Sequence, residues 1–112
     1  MFDMMGMMGK AKELQARLKE AQDTLDTITE SAEAGAGLVR ATANGRKQLI
    51  SLEIDADLIK PADREMLQDL IVAAANKALQ AAEARGAEHL RQATEGLMPN
   101  VPGMDLSKLF GK

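Results

Sequence analysis

Cysteine, tryptophan and tyrosine are absent from this 112-residue chain, and its only two phenylalanines, Phe2 and Phe110, lie near its ends. The absence of cysteine excludes a disulfide framework and thiol chemistry. Without internal aromatic rings, the core must be built from Ala, Leu, Ile, Val and Met, which bury less area per residue. A monomer with such a core would be marginally stable, so the composition predicts an oligomer.

Signals for membranes, export and catalysis are also missing. No apolar run approaches the ~18 residues of a membrane span, and the Met-rich start lacks the basic region of a signal peptide. We therefore expect a cytoplasmic location and no membrane contact. The single histidine, His89, is expected to be an exposed helix residue, and no serine has a recognisable base nearby in sequence. Asp55 and Asp57 lack a third metal ligand. We predict no enzyme activity, no small-molecule substrate, and no catalytic, cofactor-binding or metal-binding residue.

A heptad pattern of apolar side chains, separated by polar residues, extends over residues 7–32. Its alternating spacing of four and three residues predicts an amphipathic helix. Beyond Leu25, β-branched threonines weaken this pattern, so residues 28–34 are predicted as either a last helical turn or a short strand. The apolar positions are Met7, Ala11, Leu14, Leu18, Ala21, Leu25, Ile28 and Ala32.

A β-hairpin is predicted in the middle of the chain. Asn44-Gly45 favours a two-residue type I′ turn, in which both residues take positive φ. That turn would place Ala43 opposite Arg46. The predicted elements are a turn at 35–37 and strands at 38–43 and 46–54, with Val39, Ala41, Ile50, Leu52 and Ile54 on one face.

A second helix is predicted from Asp63, a suitable N-cap residue, to about Glu95. Gly86 costs about 1 kcal/mol relative to alanine and is expected to bend or fray this helix. A helix of ~30 residues is about 45 Å long, whereas a compact domain of this size is roughly 34 Å across, so parts of both helices should protrude. Leu67, Leu70 and Ile71 are expected to pack on the sheet face that carries Val39, Ile50, Leu52 and Ile54.

Basic charge is concentrated in the first half of the first helix. Residues 10–19 contain four basic residues and one acidic residue, while residues 20–33 contain five acidic residues and no basic one. Two pairs, Lys10 with Arg17 and Lys12 with Lys19, each repeat one heptad apart, about 10.5 Å along the axis. Such rows either keep a helix soluble or contact phosphates. The hairpin adds Arg40, Arg46 and Lys47. The lack of internal aromatic residues disfavours single-stranded nucleic acid.

Three segments follow the lysine-containing helix in a specific order: Gly37–Gly45, Leu52–Asp55 and Glu65–Ala78. Together they closely resemble the YbaB/EbfC family of bacterial nucleoid-associated proteins, and the resemblance covers roughly residues 4–104. One departure is Lys10-Ala11-Lys12-Glu13, where many relatives have a Lys-Gln-Ala-Gln-like start to the helix. Here a basic residue is gained at Lys12 and an acidic one at Glu13.

The resemblance implies an α+β fold: a long helix, a three-stranded antiparallel sheet whose first strand is residues 28–34, and a second long helix. It also implies a homodimer paired through the sheet, with helices projecting as tweezer-like arms that grip duplex DNA. Little sequence preference and a role in nucleoid organisation and gene expression follow from it as well. Combined with the basic rows of the first helix, this makes Lys10, Lys12, Arg17 and Lys19 the expected phosphate contacts, with Arg85 and Arg91 on the second helix as weaker candidates.

The chief alternative is a protein-interaction or holdase module whose coiled-coil arms grip proteins. The net charge of −3 and the Met-rich start fit this alternative. Under either reading, we expect one domain at residues 9–95 between a flexible Met/Gly-rich N-terminus, residues 1–8, and a flexible tail, residues 96–112.

Overall fold

The computed structural model describes residues 4–95 and has an α+β fold with two long helices and a three-stranded antiparallel sheet. This confirms the predicted fold class. The sheet order follows the chain, β1-β2-β3. The elements are α1 (Met4–Asp23), β1 (Thr29–Ala34), β2 (Val39–Asn44), β3 (Leu49–Ile54) and α2 (Arg64–Ala93), with 3₁₀ turns at Leu25–Thr27, Ala56–Leu58 and Pro61–Asp63.

The described chain divides into two compact units. The sheet unit is Leu25–Gly86, which contains all three strands and most of α2. The helical unit comprises the described parts of Met1–Thr24 and Ala87–Lys112, which are α1 and the last turns of α2. Residues 4–8, which the sequence assigned to a flexible N-terminus, lie in α1. The predicted tail at 96–112 lies outside the described residues.

The segment that the sequence left open, residues 28–34, is largely strand β1, as the family resemblance implied. Helix α1 ends at Asp23, and Leu25 begins a short 3₁₀ turn. The turn that joins β1 to β2 has three successive residues with positive φ, Gly35, Ala36 and Gly37. At Gly35, where φ is 65°, glycine adopts the left-handed conformation without strain, and a Cβ atom there would also displace the Leu70 side chain, whose methyl group would lie 2.7 Å away.

The hairpin between β2 and β3 differs from the prediction. Neither Asn44 nor Gly45 has positive φ; the left-handed residue is Lys47, with φ 65°. The Asn44 Oδ1 accepts hydrogen bonds from the backbone N–H of Arg46 at 3.0 Å and of Gln48 at 3.1 Å. The Asn44 N–H also donates to the Gln48 carbonyl oxygen at 2.9 Å. Asn44 is therefore paired with Gln48 ahead of β3, and Gly45–Lys47 form a three-residue turn that ends in the left-handed residue.

This longer loop changes the strand register. Ala43 lies opposite Leu49 rather than Arg46, and Val39 lies opposite Ile54. The register shifts by one residue between Thr42 and Ala43, which leaves Ile50 as the extra residue of a β-bulge. Ile50 and Leu52 are 49% and 38% exposed, so the prediction that they pack under α2 was wrong. Ile54, Leu67, Leu70 and Ile71 do pack against the core.

The core between α2 and β2 consists almost entirely of alanine. Val39 is its largest fully buried aliphatic side chain, and the buried positions of α2 repeat every four residues and end at Gly86. A Cβ atom at Gly86 would lie 3.1 Å from the carbonyl oxygen of Gly45. Glycine at position 86 therefore leaves room for the hairpin turn, and α2 continues past it to Ala93 without fraying. The fully buried alanines are Ala41, Ala43, Ala74, Ala78 and Ala82.

Gly45→Ala is expected to lower the free energy of unfolding by about 1–3 kcal/mol, the usual cost of overpacking. The new Cβ atom would lie 2.7 Å from the Leu25 carbonyl oxygen, which accepts a hydrogen bond from the Gly45 N–H. Urea unfolding followed by circular dichroism measures the change. Gly9→Ala is the control because nothing lies within 4 Å of its Cβ position, and we expect it to stabilise α1 by about 1 kcal/mol. Equal stability of Gly45→Ala and wild type would contradict this packing.

Candidate nucleic-acid interface

The burial of the apolar side chains of α1 determines which face of the helix is exposed to solvent. Leu14 and Leu18 are half-buried and Ala21 is buried. Met7 and Ala11, which the heptad pattern places on the same stripe, are exposed. The stripe is thus covered only from Leu14 onward within the described chain. All four basic residues of α1 lie off this stripe and are exposed: Lys10, Lys12, Arg17 and Lys19.

Lys12 and Lys19 belong to a row that contains no acidic residue. Met8, Lys12, Gln15 and Lys19 follow spacings of four, three and four residues, so they line one face of α1. We call these four residues the lysine row. Within the described part of the chain, no carboxylate forms an ion pair with Lys12 or Lys19. Both ammonium groups are therefore available to an external anion.

Lys10 and Arg17 belong to a second row, in which acidic residues alternate with basic ones. Its members Lys10, Glu13, Arg17 and Glu20 repeat at spacings of three and four residues. Arg17 Nη2 lies 3.3 Å from Glu13 Oε1. Opposite charges thus compensate one another along this mixed row, and the two rows that looked equivalent in the sequence differ in net charge.

Charge also changes sign along α1. The basic residues end at Lys19, and the acidic residues Glu20, Asp23 and Asp26 follow, all of them exposed. The positive part of the helix is thus the stretch from Lys10 to Lys19, about 14 Å long at 1.5 Å per residue. An anionic polymer would be attracted to this stretch and repelled from the residues that follow it.

The two arginines predicted on α2 are both paired with acidic residues. Arg85, in the sheet unit, places Nε 3.4 Å from Glu30 Oε2. Arg91, in the helical unit, donates from Nε to Glu88 Oε2 at 3.0 Å and from Nη2 to Glu88 Oε1. These hydrogen bonds from Arg91 lower the pKa of Glu88, and the same pairing raises the pKa of Arg91. An adjacent carboxylate thus offsets the charge of each guanidinium.

The basic residues of the hairpin do not form a basic patch. In the strand register Arg40 lies between Glu33 and Glu53. Lys47 Nζ lies 3.3 Å from Glu83 Oε1. Acidic neighbours therefore offset these charges, and α1 carries the basic surface.

His89 is half-buried in the helical unit, not exposed as the sequence suggested. Its Nε2 lies 2.9 Å from Thr24 Oγ1. The Thr24 hydroxyl donates to a backbone carbonyl of α1, with Glu20 and Ala21 both at 3.1 Å. His89 Nε2 then donates to the hydroxyl oxygen and links α2 to the end of α1. This contact gives His89 a structural role.

Among residues 4–95, no group of three or more His, Asp or Glu side chains is arranged to hold a metal ion. No helix in the same range is both long and apolar enough to cross a membrane.

Known proteins similar to this chain in sequence belong to one family, and a solved structure shares its fold. A sequence model described as the YbaB/EbfC DNA-binding family matches residues 1–97. Proteins of Brucella ovis and Brucella anthropi, each named nucleoid-associated protein, are 48% identical to this chain over 106 residues, covering 95% of it and 98% of the relative. The crystal structure of an uncharacterized protein from Helicobacter pylori superposes with a TM-score of 0.68 at 22% identity, covering 86% of this chain and all of that one. This last similarity concerns the fold alone.

Proposed function

The chain belongs to the YbaB/EbfC DNA-binding family, and on this premise we propose that it is a non-enzymatic nucleoid-associated protein that binds duplex DNA as a homodimer. It binds with little sequence preference, lies in the nucleoid within the cytoplasm, organises the DNA there and influences gene expression. The names of the Brucella relatives support the location and the general role.

The lysine row is the observation that carries the proposal for this chain. Lys12 and Lys19 are exposed, unpaired within residues 4–95 and about 10.5 Å apart along α1. Neutralising phosphates releases condensed counterions, which supplies most of the free energy of non-specific DNA binding. We assign the primary phosphate contacts to these two lysines. Lys10 and Arg17 in the mixed row, and Arg85 and Arg91 on α2, are secondary contacts, because carboxylates beside them offset their charge.

Low sequence preference follows from the kind of contact proposed. Lysine contacts with phosphates position a protein on DNA but do not read its sequence. The chain also has no internal aromatic residue on which unpaired bases could stack, which favours duplex over single-stranded DNA.

A mobility-shift assay with several unrelated duplexes at two salt concentrations tests this function. We expect all duplexes to be bound alike at low salt, with affinity that falls steeply as salt rises. A protein that shifts no duplex at low salt would overturn the proposal. Salt-tolerant binding of unfolded protein clients would then favour the holdase alternative.

The homodimer is proposed to form through β3, an edge strand with large apolar side chains in contact with water. Leu49, Ile50 and Leu52 are 45%, 49% and 38% exposed. An apolar edge strand with unpaired backbone groups is a template for association with another chain. Pairing through β3 would cover this surface and enlarge a core made mostly of alanine.

Ile50→Asp is expected to convert the dimer to a monomer, because the aspartate would have to be buried without a partner in the paired edges. Sedimentation equilibrium at micromolar concentration should give twice the chain mass for wild type and a single chain mass for the variant. Ile59→Asp is the matched control, since Ile59 is 64% exposed and lies outside the strands. It should leave the dimer intact. A monomeric wild type would contradict the proposed assembly.

A further inference from the structure

The lysine row begins with an apolar residue. Met8 lies one helical turn before Lys12 on the same face of α1, about 6 Å along the axis, and it is 59% exposed. Every other member of the row is polar or charged. Within the described residues 4–95, this large apolar side chain at the head of a basic row is left mostly in contact with water.

Met7 is a useful contrast because it is nearly as exposed, at 55%. It lies about 100° around the helix from Met8 and leads into the Ala11–Leu14 stripe. The two methionines therefore share residue type, exposure and position along the helix. They differ in that only Met8 is aligned with Lys12 and Lys19.

We propose that Met8 enters a groove of the DNA that the lysine row binds and wedges between base pairs, so that the bound duplex bends. This inference rests on the proposed function. If Lys12 holds a phosphate, a side chain one turn away on the same face points at the same duplex. Methionine is long, unbranched and polarizable, and it adapts to irregular apolar surfaces.

Apolar wedges of this type, methionine among them, unstack a base step and kink DNA by roughly 20–90°. The electrostatic attraction of the lysines for the phosphates offsets the cost of unstacking. Because pyrimidine–purine steps deform most easily, Met8 would favour flexible sites without reading base edges. That preference is compatible with binding by phosphate contacts.

Energy transfer between dyes on the two ends of a short duplex tests this role for the full-length chain. We expect wild type to increase the transfer efficiency on binding. Met8→Ser should bind about tenfold more weakly, the change that roughly 1.4 kcal/mol of binding free energy produces, and should leave the duplex straight. Its salt dependence should match wild type, because no phosphate contact is removed. Met8→Leu should bend DNA, and Met7→Ser should bend it like wild type.

Each remaining outcome overturns the inference. If wild type binds duplexes without bending them, or if Met8→Ser bends them fully, Met8 is not a wedge and the proposed function still stands. If Met7→Ser loses as much bending as Met8→Ser, alignment with the lysines is irrelevant. If Met8→Ser changes the oligomeric state of the free protein, a second copy covers Met8. Failure of wild type to bind any duplex overturns both this inference and the proposed function.

Discussion

Lys12→Glu combined with Lys19→Glu is expected to abolish the binding of every duplex at moderate salt while leaving the fold intact. Both side chains are exposed and form no ion pair within residues 4–95, so the free energy of unfolding should change by only about 0.5 kcal/mol. The proposed dimer would carry the lysine row twice, so the double variant would remove about four of the proposed phosphate contacts. The slope of log K against log salt should therefore flatten by about 3.6.

Mobility shifts over a salt series, with circular dichroism as the check on folding, measure this effect. Lys60→Glu combined with Arg64→Glu is the control, because it changes the charge of the sheet unit by the same amount at two exposed positions. We expect this control to retain most of the affinity and the full salt slope. An equal loss in both double variants would show that net charge matters and that the lysine row does not.

Ala78→Asp is expected to unfold the protein. Ala78 is fully buried in the alanine layer between α2 and β2, and the buried polar residues of the described chain are Asn44 and Thr94, neither of which is basic. A buried carboxylate without a partner costs more than about 4 kcal/mol. Domains of this size are stable by only about 5–15 kcal/mol, so a thermal melt should show little or no cooperative transition.

Ala84→Asp is the matched control on the same helix. Ala84 is exposed, so the free energy of unfolding should fall only by the difference in helix propensity between Ala and Asp, at most about 0.7 kcal/mol. It should melt cooperatively close to wild type. If Ala78→Asp melted at the same temperature as Ala84→Asp, the buried face of α2 would be assigned incorrectly.

The periodic parts of the sequence predicted the fold well. Spacing predicted both long helices, although the heptad pattern continues to Ala32 and α1 ends at Asp23. The Gly35–Gly37 turn has the positive φ values that glycine favours. Strand β1 could not be settled from its residues, because Thr-Glu-Ser-Ala-Glu-Ala contains few apolar side chains and fits a helix or an edge strand equally well. Only the family resemblance identified it as a strand.

The hairpin shows why local signals can mislead. Asn-Gly is typical of a type I′ turn, but here the Asn44 side chain bonds two backbone N–H groups of its own loop and remains in the strand. The contact of Gly45 with Leu25, which is distant in sequence, also constrains this loop. Neither interaction can be read from the spacing of apolar residues.

The candidate site was only partly predictable for a similar reason. Spacing identified both basic rows. The four-residue separation of Glu13 and Arg17 also indicates an ion pair between them, which offsets charge within the mixed row. The pairing of Arg85 with Glu30 depends on how α2 lies on β1 and has no local signature. The sequence therefore identified the two basic rows of α1, and the structure distinguishes them by the ion pair between Arg17 and Glu13.

The alanine layer limits how this protein can change over evolutionary time. In most cores, a larger side chain at one position is accommodated by a smaller one at a neighbouring position. Here the neighbours are Ala74, Ala78 and Ala82 facing Ala41 and Ala43, and alanine can shrink only to glycine. Paired substitutions, in which one residue becomes larger and its neighbour smaller, are therefore not possible in this layer. Substitutions should accumulate on the surface instead. The charged rows of α1 can then diverge, and with them the affinity for DNA, while the sheet unit keeps the same packing.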